Sequence, residues 1–151
     1  MIKVTQKVGL KRLNKLADYL QNEVKPKKFN LGSWASMDND EYSRYYDEKF
    51  LNDSLLNPSC GTTACAFGHA GTMKSFKRAG LKLSIEGFSE IVKYKGYEGF
   101  NAASLFFGVD YDTATYMFDP CEYDKGRQSK SYVVKRIRNV VKQLEKELSV
   151  K

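Results

Sequence analysis

The sequence predicts a single compact domain of the mainly α (α+β) class, with one small β-hairpin among its helices. Its 151 residues are 42% hydrophobic and 13% aromatic, which is typical of a folded chain that is long enough for one core. Apolar residues recur at steps of three and four in three long segments, as they do on one face of a helix. A fourth segment alternates with a period of two, which predicts a pair of strands.

Both ends of the chain have the pattern of amphipathic helices with a basic side. The apolar steps predict a first helix over residues 6–24, which Pro26 ends, and a last helix over residues 131–148. Basic residues lie beside or opposite each apolar stripe, namely Lys7, Lys11, Lys15, Lys135, Arg138 and Lys142. Residues 1–28 and residues 127–151 each have a net charge of +6, although the whole chain has only +7. This segregation of charge favours an acidic partner or a nucleic acid.

A central helix is predicted over about residues 62–79. Its apolar residues have helical spacing, and Thr62 or Thr63 can cap its start. Gly68 and Gly71 weaken a helix, so their presence indicates a neighbour that packs tightly against this segment.

Shorter elements are predicted on either side of the central helix. Residues 27–59 have an irregular pattern, within which residues 38–53 have the spacing of a short helix. After the central helix, alternation predicts a hairpin over residues 81–95. Two short helices follow, one over residues 99–107 and one that Asp110 caps.

Two cysteines and the single histidine lie within residues 60–69, and three chemistries are open for them. As a thiol nucleophile, Cys60 would lie just before a helix start, where unpaired N–H groups lower a thiol pKa. A nucleophile also needs a base, but His69 lies about 10 Å further along a regular helix and would not contact Cys60. Cys65 and His69 are four residues apart and can meet, although both would be buried there. As metal ligands, Cys65 and His69 could share an ion with Cys60 or Cys121, although the spacing is not that of a standard zinc site. Structural cysteines and a buried histidine are the alternative.

The third chemistry is the binding of an anion at the predicted helix start. Gly61, Thr62 and Thr63 would present small side chains, hydroxyl groups and backbone N–H groups, which can hold a phosphate or a carboxylate. Every capped helix shares this property, so the pattern does not identify a ligand. No metal or other cofactor is predicted.

The string CGTTACAFGHA at residues 60–70 resembles the C-G-T-x-A-C-x-x-G-[HW]-A motif of a family of small bacterial and tailed-phage proteins without assigned function. Shorter pieces resemble the family in the same order, at residues 29–34, 102–109 and 118–120. The resemblance covers about residues 29–120. The composition, which is rich in Lys, Tyr, Asn and Asp, is similar to that of a T4-like phage accessory protein. In the family the position of His69 is often Trp. The resemblance therefore implies a core role for His69. We expect the motif residues Trp34, Cys60, Cys65 and His69 to be structural.

The function that these patterns favour is that of a non-catalytic, phage-type accessory protein. It would bind a host protein, a nucleic acid or an anionic nucleotide, and it could inhibit a host system. One alternative is a small Cys-dependent enzyme that uses Cys60. Another is a nucleotide-sequestering protein that binds its ligand at the helix start of residues 60–64.

Three further expectations concern the location and assembly of the protein. An odd count of three cysteines favours a reducing compartment, and the chain start does not have the pattern of a signal peptide. A helix needs about 20 consecutive apolar residues to span a membrane, and no run in this sequence approaches that length. The sequence therefore predicts a cytoplasmic protein without membrane contact. A homodimer through the apolar stripe of the last helix is a further alternative.

Overall fold

A computed structural model describes residues 4–35, 48–57, 62–86 and 89–149. Its helices are α1 (Gln6–Asn22), α2 (Glu48–Leu56), α3 (Ala66–Ala70), α4 (Lys74–Arg78), α5 (Gly99–Phe107), α6 (Tyr111–Phe118) and α7 (Lys130–Ser149). Its strands are β1 (Leu81–Glu86), β2 (Ser89–Tyr94) and β3 (Tyr97–Glu98). In the described ranges, turns of 3-10 helix lie at Pro26–Lys28 and Pro120–Glu122. The fold is therefore mainly α with a small antiparallel sheet, as predicted.

The two terminal helices pack side by side and run antiparallel. Near one end of the pair, the Gln6 side chain donates to Glu147 at 3.4 Å. Near the other end, Arg138 contacts Asp18 at 2.7 Å. The apolar stripes of both helices face the core, as predicted, and five residues of each are buried. Thr5 begins α1, since its hydroxyl accepts from the backbone N–H of Val8 at 3.2 Å.

The predicted central helix is two short helices, so its single span of residues 62–79 is wrong. Cys65 is the N-cap of α3, and Thr62 and Thr63 both precede it. A helix cannot begin at residue 62, because Ala64 is extended and forms a parallel bridge with Phe29. A second break separates α3 from α4.

The tight packing predicted at the central glycines is confirmed. A Cβ atom on Gly68 would lie 1.8 Å from the backbone oxygen of Trp34, and one on Gly71 would lie 2.8 Å from the Cβ of Leu83. No side chain fits at either distance, so these two glycines let α3 lie directly against the chain at Trp34 and against β1.

The hairpin is confirmed, and a third strand extends it. β1 and β2 pair from Leu81 opposite Tyr94 to Glu86 opposite Ser89, and β3 adds two residues to the free edge of β2. Residues 87–88, at the predicted turn, lie outside the described residues. Part of the predicted helix at residues 38–53 also lies outside them, since the described part of that region begins with α2.

The two helices after the sheet match the sequence closely. Gly108 ends α5 in the left-handed conformation with φ +65°, which a glycine adopts without strain. Asp110 caps α6 by accepting from the backbone N–H of Thr113 at 2.7 Å. Hydrogen bonds with the side chain of Thr113 and with its backbone N–H lower the pKa of Asp110.

Five phenylalanines form the centre of the core, namely Phe67, Phe76, Phe106, Phe107 and Phe118. Neighbouring rings lie 4.9–6.2 Å apart between centroids, which is the range of favourable aromatic pairs. They come from α3, α4, α5 and α6, so one aromatic layer joins the middle of the chain. In the described ranges, no helix is both long and apolar enough to cross a membrane.

Candidate functional site

Cys65 has a structural position. It is buried, and its Sγ accepts from the backbone N–H of Gly68 at 3.4 Å, so the thiol caps α3. Burial raises the pKa of Cys65 to about 11, which keeps it a thiol at neutral pH. Cys60 and Gly61, the predicted nucleophile and part of the predicted anion site, lie outside the described residues.

His69 is held in the core by a backbone hydrogen bond. Its Nε2 lies 2.8 Å from the carbonyl oxygen of Lys28, to which it donates. Burial lowers the pKa of His69 to about 4, and the positive charges of Lys28 and Lys130 act in the same direction. A buried neutral imidazole with this partner joins α3 to the 3-10 turn at Pro26–Lys28.

Lys28 is a buried cation that the sequence did not reveal. Its side chain is 5% exposed, and its Nζ donates to the carbonyl oxygens of Ser54 and Thr62 at 3.2 Å each. The ammonium therefore ties the segment before α3 to the end of α2. The only signal in the sequence was its place after Pro26 in a basic run, which predicts an exposed lysine.

The described members of the predicted metal set are not brought together as a site. Cys65 caps a helix, His69 donates to a carbonyl, and Cys121 is exposed on the 3-10 turn at Pro120–Glu122. The negative charge of Asp119 raises the pKa of Cys121. Within the part of the chain that the structure describes, no group of three His, Cys, Asp or Glu side chains is arranged to hold a metal.

The predicted anion site does not have the helix start that it requires. Helix α3 begins at Ala66 and has five residues, so Thr62 and Thr63 lie outside its first turn. Thr62 is fully buried, and its carbonyl oxygen accepts from Lys28. The described residues of this segment do not form an N–H cradle open to a phosphate.

Trp34, the fourth motif residue, lies beside a cavity of about 530 Å³. Its ring packs against Phe100 at 5.0 Å and Phe67 at 6.2 Å between centroids, and Cys65 also lines the cavity. These contacts join the segment before α3 to α5. They make Trp34 a packing residue at the edge of the core.

The predicted basic residues are brought together by the α1–α7 pair. Six exposed lysines of these helices are named the basic face, and they are Lys7, Lys11, Lys15, Lys135, Lys142 and Lys146. On each helix the buried residues mark the side that faces the core, and these exposed lysines lie on the outward side, opposite the core. Because the two helices pack side by side on one core, their outward sides face the same way.

Arg138 has a different position from the other predicted basic residues. Its guanidinium spans the seam between the two helices, contacting Asp18 at 2.7 Å, Gln21 at 3.2 Å and Asn14 at 3.4 Å. The side chain is one third exposed. The positive charge of Arg138 therefore helps to join α7 to α1. The lysines of the basic face supply the charge that faces outward.

A tyrosine cluster, which the sequence did not reveal, borders the basic face. Arg136 lies between two rings, 3.7 Å from the Tyr123 centroid and 4.5 Å from the Tyr116 centroid. Tyr132 lies one turn before it on α7. The cluster lines a cavity of about 220 Å³, together with Asp124, Arg127, Lys135 and Asn139. The sequence feature that could have indicated this cluster is the mixture of tyrosines and basic residues over residues 116–139.

The apolar stripe of α7 is used inside the chain. Val133, Ile137, Val140, Val141 and Leu144 are all buried. Dimerisation through this stripe would require α7 to leave the core, so the stripe does not provide a surface for a second copy.

The fold and its surface define a small α+β domain with a basic pair of terminal helices. Comparison of the chain with protein-family models, with curated protein sequences and with solved structures gave no significant match.

Proposed function

We propose that the protein is a non-catalytic binding protein whose basic face contacts the phosphates of a nucleic acid. The observation that carries the proposal is the convergence of two lysine rows, far apart in sequence, on one side of the molecule. Helix α1 has a net charge of +3 and α7 has a net charge of +4, so the pair concentrates charge equal to the whole chain's +7.

The lysines of the basic face are available to a ligand. All six are exposed, and within the described ranges none of them forms an ion pair. By contrast, Lys49, Lys82 and Lys93 are paired with acidic side chains elsewhere on the surface. A lysine that meets a phosphate releases the counterions condensed on the nucleic acid, which favours binding at low salt.

The spacing of the lysines suits a phosphate backbone. Lys7, Lys11 and Lys15 follow one another at four-residue steps, which is about 6 Å per step and about 12 Å in all. The axes of packed helices lie about 8–10 Å apart, so the second row runs close beside the first. A strand of nucleic acid places one phosphate about every 3.4 Å in a duplex, so several phosphates fall within this face.

The contacts of the motif residues support a structural role for the middle of the chain. Cys65 and His69 are engaged in capping and backbone hydrogen bonds, and Trp34 packs on the core. These contacts support a binding surface on the terminal helices, outside the region of the family resemblance. The phage origin, and a host protein as the partner, stay predictions from the sequence.

The test is a salt titration of binding to a fluorescently labelled oligonucleotide, followed by anisotropy. We expect binding at about 50 mM salt that falls steeply toward about 200 mM, because phosphate contacts release counterions. The double variant Lys11→Gln, Lys142→Gln removes one charge from each row. It should weaken binding to every sequence and reduce the slope of log K against log salt by about 1 for each phosphate that no longer meets a lysine.

The matched control is the double variant Lys74→Gln, Lys77→Gln. It removes the same charge from α4, which is not part of the basic face. Equal weakening of binding in the two variants would mean that only net charge matters, and the proposed face would be wrong. Absence of binding at low salt would contradict the function itself.

A further inference from the structure

We infer that the nucleic acid is single-stranded and that one of its bases stacks on Tyr132 at the edge of the basic face. This inference rests on the proposed function, since it names the form of nucleic acid that the same surface would take. It is carried by the tyrosine cluster, which the proposed phosphate contacts do not use.

The cluster is continuous with the basic face. Tyr132 lies three residues before Lys135 on α7, and residues three apart are neighbours on one side of a helix. Lys135 belongs to the basic face and also lines the cavity of the cluster. A strand whose phosphates meet the lysines of α7 therefore passes beside the Tyr132 ring.

Tyr132 is the tyrosine of the cluster whose ring is open to a ligand. It is 41% exposed, and in the described part of the chain its ring makes no aromatic or cation contact. Tyr123 is buried, and its ring is covered by Arg136. Tyr116 is 37% exposed but also packs against Arg136.

Arg136 fixes the wall of the cavity before any ligand enters. Its guanidinium is held between the rings of Tyr116 and Tyr123, and its Nη1 donates to the carbonyl oxygen of Tyr116 at 2.9 Å. A side chain held at three points loses little freedom on binding, which favours affinity. The site is therefore preformed on one side and open at Tyr132.

The size and chemistry of the cavity fit one planar base. Its volume of about 220 Å³ is below the range of about 300–1,000 Å³ that is usual for drug-sized ligands. Asn139 supplies an amide for a base edge, and Arg127 and Lys135 supply cations for the flanking phosphates. Asp124 is the acidic residue of the lining, and its carboxylate can accept from a base N–H.

A duplex does not offer a base to this site. Its bases are stacked inside the helix, whereas a single strand can turn a base outward onto an aromatic ring. Aromatic side chains next to basic ones are the usual platform for single strands without strict sequence preference.

The experiment compares three probes of equal length, about 12 nucleotides. They are an oligothymidylate, an abasic strand with the same phosphates, and a duplex of mixed sequence. With the full chain at low salt, the oligothymidylate should bind most tightly. Tyr132→Ala should weaken its binding about 5- to 150-fold, the range found when a stacking residue is truncated. The same variant should leave binding of the abasic strand unchanged.

Two control variants separate stacking from other effects. Tyr132→Phe keeps the ring and should bind the oligothymidylate nearly as well as the unsubstituted chain. Tyr97→Ala removes another tyrosine of similar exposure, on β3, and should have no effect. Circular dichroism of each variant confirms that the exposed substitutions leave the fold intact.

The outcomes distinguish the two proposals. If the abasic strand and the oligothymidylate bind equally, and Tyr132→Ala changes neither, stacking is wrong while phosphate binding stands. Tighter binding of the duplex would also overturn the single-strand inference. If none of the three probes binds at low salt, the proposed function fails and this inference fails with it.

Discussion

Protonation of His69 should destabilise the folded protein in a defined range of pH. In the unfolded chain the imidazole has its ordinary pKa of 6.5, whereas in the folded chain burial lowers the pKa to about 4. Above pH 6.5 both states are neutral and the stability is unaffected. Below it, the unfolded chain takes up a proton that the folded chain does not, so unfolding becomes more favourable until both are protonated.

The size of the effect follows from the two pKa values. The gap between 6.5 and about 4 corresponds to a decrease of about 3 kcal/mol in the free energy of unfolding as the pH falls from about 7 to about 4. The free energy of unfolding of a domain is usually about 5–15 kcal/mol, so this decrease is a large share of it.

Urea unfolding at a series of pH values measures this effect, with His69→Gln as the matched variant. A glutamine retains an N–H that can donate to the carbonyl of Lys28, but it does not titrate. Carboxylates also destabilise the protein in acid, but they do so equally in both chains, and the difference between the two chains isolates His69. We expect this difference to change by about 3 kcal/mol over the range. Parallel curves for the two chains would refute the assignment of a buried neutral histidine.

Three other substitutions or measurements test the core and the motif. Gly68→Ala should cost about 3 kcal/mol or more in thermal or urea unfolding, because its Cβ would lie 1.8 Å from the Trp34 oxygen; a cost below about 1 kcal/mol would contradict the packing. Phe67→Ala should cost about 3–5 kcal/mol in the same assay, since this fully buried ring contacts other rings of the core. In the native protein a thiol reagent should modify the exposed Cys121, but should reach Cys65 only on unfolding, as peptide mapping would show; fast labelling of Cys65 would mean that α3 opens readily.

The ends of the chain and the elements after the sheet could be predicted from the sequence because their signals are local. Apolar residues three and four apart define the buried faces of α1 and α7 wherever these helices lie. Gly108 and Asp110 end and begin helices through contacts with residues only a few positions away. The alternation of β1 and β2 is of the same kind, since a sheet face depends on period two alone.

The central segment could not be predicted in this way. Its composition favours one long helix, but Ala64 pairs with Phe29, which lies 35 positions earlier, and the pairing holds the chain extended. The hydrogen bond from the buried Lys28 to the carbonyl oxygen of Thr62 is likewise a contact between residues that are distant in sequence. Helical propensity is weak compared with such tertiary contacts, so the helix begins at Ala66.

The sequence by itself determined that both ends are basic amphipathic helices, and that a small hairpin lies among the helices. Only the tertiary structure decided that the two lysine rows share one side, that Arg138 turns into the seam, and that Arg136 lies between the rings of Tyr116 and Tyr123. The reason is that helical period fixes which side of a helix a residue lies on. Which helices become neighbours depends on how all the apolar faces are buried together, and that is settled only when the whole chain packs.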